Sequence, residues 1–478
     1  MKVLLLSTYE LGHQPAGLAA LAGLLDEAGH EVVVADLSLE GFPVSSAASA
    51  EAVVFSVPMH TATELALEAA AAIVAEGHRP RLGFVGLYAP ALASHRLLGA
   101  GDLLVAGESG DALCAWLAAG APAGAGGAPE VVVELGRPLL DPSPPPRREL
   151  LPPLGRYASY SAAGRSGPAA SVEASRGCNH RCRHCPVAAI YGGRSRAVPP
   201  ASVLADLDQV VEMGASHVSF SDPDFLNRPR HAMAVAGALH GRHPSLSFDA
   251  TVKVEHLLRH RRLVPELAAL GLSFVVSAFE SRDDAVLARL DKGHVAADEE
   301  QAVALLRAAG VEVRPSWLPF TPWATVESFA ALLEFSAGAD LVSSTDPVQY
   351  SIRLLLPHGS LLLEEPDPVL AGALRAATGI ASPATSRPWR HAEHGLDKLQ
   401  SAVADLVEVA DGRHAPAEET FSRLWQLARE AGVPLAGEPP EPEPALRSPL
   451  EGERPHLSEA WFCCAEPTGA QLELVWGR

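Results

Sequence analysis

The feature that most limits how this chain can fold is an alternation, run twice, of short apolar stretches with helix-period segments. In the first series residues 3–7, 32–37, 53–57, 82–87 and 103–106 are the apolar runs. They are short and show no polar alternation, as buried parallel strands should. Between them apolar residues recur at helical spacing, as at Leu18, Leu21, Leu24, Leu25 and Ala28, closed by Gly29. Five such units joined by short loops predict a doubly wound parallel sheet over residues 1–120. The second series has strand patterns at 169–174, 217–221, 246–251, 274–279, 311–317 and 348–356, with helical patterns between them. Six units in succession predict an open (β/α)6 barrel over residues 166–363. In both architectures ligands sit beyond the carboxyl ends of the strands.

The rest of the chain reads as connection and appendage. Residues 121–165 hold a Gly/Ala/Pro stretch and the run Asp141-Pro-Ser-Pro-Pro-Pro, the composition of a linker. Leu396, Leu399, Val403 and Leu406, then Phe421, Leu424 and Ala428, mark two amphipathic helices in a helical segment over 364–436, expected to dock on the barrel. Residues 437–455 are rich in Pro and Glu and predict a stiff spacer, roughly 60 Å long at ~3.1 Å per residue, leading into the tail that ends at 478. No run approaches the ~18 apolar residues of a membrane span. Met1-Lys-Val-Leu-Leu-Leu turns polar too soon for a signal peptide. A net charge of −20 opposes broad nucleic-acid binding. Six cysteines, three of them candidate metal ligands, fit a reducing compartment, so a cytoplasmic location is expected.

The chemistry concentrates in Ser175-Arg-Gly-Cys178-Asn-His-Arg-Cys182-Arg-His-Cys185-Pro, directly after the first barrel strand. Thiolates are the usual ligands of iron–sulfur clusters. Three of them can hold three irons of a cubane and leave the fourth open to a small molecule. The competing reading is zinc, with His180 or His184 completing a Cys3His set. Structural zinc sites usually pair two ligand couples, and no second C-x-x-C exists here. The chain's other unusual feature is the adjacent pair Cys463-Cys464, after Trp461-Phe462. Neighbouring thiols suit a soft metal or metalloid, or a redox or covalent role, better than a disulfide.

The C-x-x-x-C-x-x-C stretch resembles the signature of the radical SAM superfamily, whose members hold a [4Fe–4S] cluster that binds and cleaves S-adenosylmethionine. The match with Ser221-Asp-Pro-Asp-Phe-Leu-Asn, Asp249-Ala-Thr-Val-Lys-Val-Glu-His, Pro347-Val-Gln-Tyr-Ser-Ile-Arg and Cys463-Cys-Ala-Glu-Pro is similar to the CUAEP/CCAEP-tail radical SAM family. That resemblance implies that Cys178, Cys182 and Cys185 hold the cluster. It implies that Asp222 or Asp224 meets the methionyl ammonium, Ser277 and Glu280 the ribose, and Arg314 the carboxylate. Cys463 and Cys464 become the candidate catalytic pair, and an external electron donor of flavodoxin or ferredoxin type is implied. The first domain resembles the cobalamin-binding domains that precede many radical SAM barrels, through its Pro15-Ala-Gly-Leu helix start, Gly29-His-Glu-Val and Val105-Ala-Gly-Glu. The D-x-H-x-x-G cobalt-ligand motif of that family is missing. The loop here is Glu10-Leu-Gly-His13-Gln-Pro, which leaves cobalamin binding open and argues against His13 as a cobalt ligand. Three readings follow: radical chemistry on a small substrate held with the tail dithiol, a cobalamin-dependent radical SAM methyltransferase, or a non-catalytic dithiol metal or metalloid sensor.

Overall fold

The structure is a computed structural model that describes every residue except 78, 121–126, 136–143, 381–384, 451 and 460–478. The first sheet is built from β1 (Lys2–Ser7), β2 (Glu31–Asp36), β3 (Ala52–Ser56), β4 (Arg81–Val85), β5 (Leu103–Gly107) and β6 (Glu130–Glu134). All neighbours are parallel, in the order β2-β1-β3-β4-β5-β6. Helices Ala16–Glu27 and Gly110–Ala119 cover one face through Leu18, Leu25, Leu113 and Trp116. Helix His60–Ala75 covers the other through Leu65 and Ile73, above the stacked rings of Phe55 and Phe84. The strand β6 lies within the segment expected to be pure linker. It is an edge strand of five residues, paired only with β5, and its Val131 and Val133 stay 44% and 51% exposed. A half-exposed edge with no helix pattern of its own leaves little signal in sequence.

The second sheet continues through β7 (Ser159–Ala162) and β8 (Arg165–Val172), then β11 (His217–Phe220), β12 (Ser247–Thr251), β13 (Leu272–Glu280) and β14 (Glu312–Trp317). Between β8 and β11 a small antiparallel pair, β9 (Ser175–Gly177) and β10 (Ser195–Ala197), brackets the cysteine loop. From β8 to β14 the ladder is parallel, five of the six strands of the open barrel expected. Val218, Phe220, Phe248, Ala250 and Val275 pack against the helices, while Tyr160, Phe274 and Val276 belong to a separate cluster on the other face.

The sixth strand, expected over 348–356, does not form as a ladder. The chain there makes a 3-10 turn, Pro347–Ser351, and one isolated bridge from Phe320 to Arg353. Side chains explain the departure. The Trp317 N–H donates to the Gln349 side-chain oxygen at 3.0 Å instead of to a backbone carbonyl. Arg353 is drawn outward to Asp397 at 2.7 Å and stacks on Trp389.

Helices His394–Asp411 and Ala417–Glu430 dock on the barrel core through Leu396, Val403, Leu424 and Trp425, as their periodicity predicts. The spacer after them is not free. Leu446 packs into the same core, and Arg454 pairs with Glu312 at 3.2 Å and Asp340 at 2.8 Å. The chain then forms β15 (His456–Leu457), antiparallel to β7 at the edge of the barrel sheet. Proline content gave no sign of these anchoring points, which include long-range ion pairs. Among the described residues no helix is long and apolar enough to cross a membrane.

The two sheets are fixed to one another by a buried arginine. Arg148, fully enclosed, donates to Asp206 at 2.6 and 2.7 Å, to the Ser171 carbonyl at 2.7 Å and to the Gln14 side chain at 3.1 Å. Gln14 follows β1 and Asp206 lies in the helix after the cysteine loop, so one guanidinium ties the domains.

Candidate active site

Gly177 has φ +70°, and a Cβ there would lie 2.4 Å from the Tyr191 ring and 2.5 Å from the Arg194 carbonyl oxygen. Only glycine lets the chain turn at this point, immediately before Cys178. Asn227, on the loop after β11, holds the start of the loop that follows. Its side-chain oxygen accepts from the Asn179 N–H at 3.0 Å, and its carbonyl accepts from the Asn179 amide at 2.9 Å. The Cys178 thiol points to the same Asn227 oxygen at 3.7 Å. The Cys185 N–H donates to the Cys182 carbonyl at 3.1 Å, and helix Pro186–Tyr191 begins at the next residue. Cys178 and Cys182 are buried, Cys185 is half-buried, and all three are free thiols.

Burial and the neighbouring Cys182 push the Cys185 thiol up to about 12, and burial pushes Cys178 upward too. Thiols so enclosed become thiolates only around a positively charged centre, and these donors fit an iron–sulfur cluster. Two lysines add charge of the right sign. The Lys253 ammonium is 3.4 Å from the Cys182 sulfur. Lys292, buried, pairs with Glu280 at 3.0 Å, and Glu280 is also 3.2 Å from the His184 ring. Burial alone would raise the Glu280 carboxyl, but Lys292 and His184 hold it well below the usual carboxylate range.

Of the residues expected to contact S-adenosylmethionine, Asp222 and Asp224 follow β11 while Ser277 and Arg314 lie within β13 and β14, each already engaged. Asp222 accepts from the Ala174 N–H at 2.8 Å and the Ser175 hydroxyl at 2.5 Å. Asp224 accepts from the Leu226 N–H at 2.9 Å and the Lys253 N–H at 3.2 Å. The Ser277 hydroxyl donates to the Val252 carbonyl at 2.7 Å. Arg314 pairs with Asp346 at 2.5 Å and reaches the Pro455 carbonyl at 3.4 Å. Cys463 and Cys464 lie outside the described residues. Four positions before Cys463, however, the Glu459 side chain lies over Gly12, where a Cβ would fall 1.9 Å from its Cγ.

Facing the cysteine loop are the carboxyl ends of β4, β5 and β6. Cys178, Val187 and Tyr191 share an apolar cluster with Leu87 and Leu135 of the first domain. Arg176 spans the crevice, donating to Glu108 and to Glu173 at 2.5 Å each. Burial raises the Glu10 carboxyl to about 8, against the hydrogen bond from Ser56 that lowers it. His13 is pushed down to about 4 by burial, and its Nδ1 is buried without a hydrogen-bond partner, as is one oxygen of Glu108. The unpartnered Glu108 oxygen fits a ligand that donates hydrogen bonds, as the amides at a corrin ring's periphery do.

Comparison with known proteins agrees with this geometry. Residues 172–335 match the model of the radical SAM superfamily. The chain carries a radical SAM domain. Over 178 residues, 37% of this chain and 33% of the relative, it is 24% identical to hopanoid C-3 methylase of Methylococcus capsulatus, so only about a third of that protein is matched. The radical SAM domain and its N-terminal sheet together superpose on the cobalamin-dependent radical enzyme OxsB, solved with aqua-cobalamin and S-adenosylmethionine. The TM-score is 0.63, over 90% of this chain and 71% of that one, at 13% identity. The radical SAM methyltransferase TsrM of Kitasatospora setae, solved with cobalamin and a [4Fe-4S] cluster, gives 0.57 over 80% and 76% at 16% identity. The chain therefore shares the fold of OxsB and TsrM.

Lys253, Lys292 and Asn227 were not singled out from sequence. Lys253 and Asn227 stand at strand ends in the quoted motifs, which was the available signal. Lys292 had none, because it reaches the site from a turn after helix Asp284–Arg289.

Proposed function

We propose that this chain is a cobalamin-dependent radical SAM enzyme acting on a small molecule, with methyl transfer as its reaction class. The observation that carries the reading is the juxtaposition of the three-cysteine loop with the open carboxyl rim of the first sheet. Cys178, Cys182 and Cys185 would hold a [4Fe–4S] cluster, which would supply reducing power for cleavage of S-adenosylmethionine. Bound in the crevice, cobalamin supplies a methyl carrier, consistent with the names of the methylase relative and of TsrM. The chain's own residues then have distinct work. Lys253 and Lys292 offset the thiolate charge beside the loop. Asp222 or Asp224 takes the ammonium of S-adenosylmethionine, Ser277 and Glu280 its ribose, and Arg314 its carboxylate on leaving Asp346.

The tail dithiol adds a second element. Glu459 over Gly12 puts the described end of the chain at the loop after β1, beside the crevice. Cys463 is four residues further, within ~14 Å at full extension. We assign Cys463 and Cys464 the holding of substrate or of a soft metalloid there. The test is anaerobic reconstitution with iron, sulfide and hydroxocobalamin, followed by S-adenosylmethionine and a reductant. About four irons and one cobalamin per chain are expected, with 5′-deoxyadenosine and S-adenosylhomocysteine as products. Stoichiometric zinc without iron uptake would sink the cluster, and iron without retained cobalamin would sink the methyl-transfer reading.

A further inference from the structure

Beside the cysteine loop lies a second group of metal-type donors. His180, on the loop between Cys178 and Cys182, faces His256 of helix Val254–Arg259, with 3.1 Å between the two Nε2 atoms. Asp224, fully enclosed, brings an oxygen to 2.9 Å from the His256 Nδ1. One donor atom from each of the three residues lies within 4.8 Å of the other two.

Hydrogen bonding alone leaves this group incompletely satisfied. The His256 side chain is 6% exposed, and its Nδ1 has no aligned hydrogen-bond partner although the Asp224 oxygen is so close. The facing Nε2 atoms can share one proton at most between them. Donors on a single zinc or iron ion, at ~2.1 Å from the metal, stand about 3–4 Å apart. The Nε2 pair already meets that spacing, and the Asp224 carboxylate lies within reach of the same point. Two imidazoles and a carboxylate are a donor set suited to divalent zinc or iron, with positions left open. Glu255 lies 3.4 Å from the His180 Nδ1, where a carboxylate orients a metal-bound imidazole. The opposing charges nearby are engaged: Lys253 with the Cys182 sulfur and Glu255, Arg259 with the other Glu255 oxygen. Solvent reaches the group from the Glu255 side, where that side chain is 21% exposed and His180 14%.

We propose that His180, His256 and Asp224 form a second metal site, distinct from the three thiolates, that takes a divalent transition ion of the zinc or ferrous class. With Asp224 so used, Asp222 is the acidic residue left for the ammonium of S-adenosylmethionine. The site stands whether or not S-adenosylmethionine is cleaved, because its donors include no cysteine.

Zinc alone is the probe. Cluster-reconstituted protein is incubated anaerobically with excess Zn²⁺, desalted and counted for metals, and the zinc edge is examined by X-ray absorption. The expected result is about one zinc per chain beside an unchanged iron content, with a nitrogen/oxygen shell and no sulfur. His256→Ala and Asp224→Asn should each weaken zinc at least about a hundredfold with iron retained, and Glu255→Gln about tenfold, as for loss of an outer partner. Unchanged iron in His256→Ala shows that the variant folds; if iron falls as well, His256→Gln takes its place. No retained zinc in the parent protein, equal zinc in the folded His256 variant, or sulfur in the zinc shell overturns the proposal.

Discussion

The rims of the two sheets face each other, but they are built differently. On the barrel rim charged groups are cross-braced: Asp222 by two donors, Asp224 by the Leu226 and Lys253 backbone, and Glu280 by Lys292 and His184. On the first sheet's rim the Glu108 carboxylate has one oxygen on Arg176 and the other buried without a partner. Under the proposed function, the contrast follows from what each rim would hold. A cluster on three thiolates needs its loop fixed before assembly, so the surrounding hydrogen bonds are made in advance. A large neutral ligand brings its own donors, so acceptors can be left to wait for it.

The comparison breaks first at the cysteines. Cys178→Ala, Cys182→Ala and Cys185→Ala should each reduce cluster absorbance and S-adenosylmethionine cleavage to background. Circular dichroism and cobalamin retention should show the first domain intact. Loss of cobalamin in all three would mean the rims are not separable.

Next comes the bracing itself. Lys292→Met leaves Glu280 charged and buried without its main partner, which costs about 3–5 kcal/mol. The double variant Lys292→Met/Glu280→Gln should recover most of that in chemical denaturation. Equal losses in the single and double variants would show that the pair does not brace the barrel rim.

How much of this was legible in sequence depends on whether the signal was contiguous. The parallel strands and the cysteine loop are short continuous patterns, and they appear within a residue or two of where periodicity puts them, except that β8 begins four residues early. β6 was missed because five residues at a sheet edge look like linker. The sixth barrel strand failed because Gln349 and Arg353 spend their side chains on Trp317 and Asp397, a choice made by tertiary partners. The His180–His256 contact joins residues 76 positions apart. Spacing within either motif carries no trace of it. The anchoring of the spacer by Arg454 was hidden for the same reason.

A smaller effect tests where the tail meets the first rim. Gly12 has φ +71° and lies under Glu459. Gly12→Ala adds about 1–2 kcal/mol of backbone strain and must push Glu459 away. Iron content and cobalamin retention should be unchanged, while product formation falls several-fold if the tail works at this crevice. Full turnover in a folded Gly12→Ala protein would separate the tail from the chemistry.

A last effect, read only as a dependence on pH, concerns a proton on the braced rim. Burial raises the Asp222 carboxyl to about 7, against hydrogen bonds from Ser175 and Ala174 that lower it. Between the ordinary carboxylate value of about 3.9 and pH 7 the folded protein therefore holds a proton that the unfolded chain has lost. Stability from this group is fully present below the unfolded value and falls as pH rises to about 7, by at most ~1.4 kcal/mol per pH unit. Asp222→Asn removes the dependence, so the variant should gain on the parent in denaturation midpoint from pH 5 to 7, with no further gain above. The same ionisation has a functional side, since only the carboxylate form pairs with an ammonium. The KM for S-adenosylmethionine should fall as pH passes 7 in the parent and stay flat in Asp222→Asn. A variant that tracks the parent in both measurements would place the proton elsewhere and return the ammonium to Asp224, against the metal site drawn there.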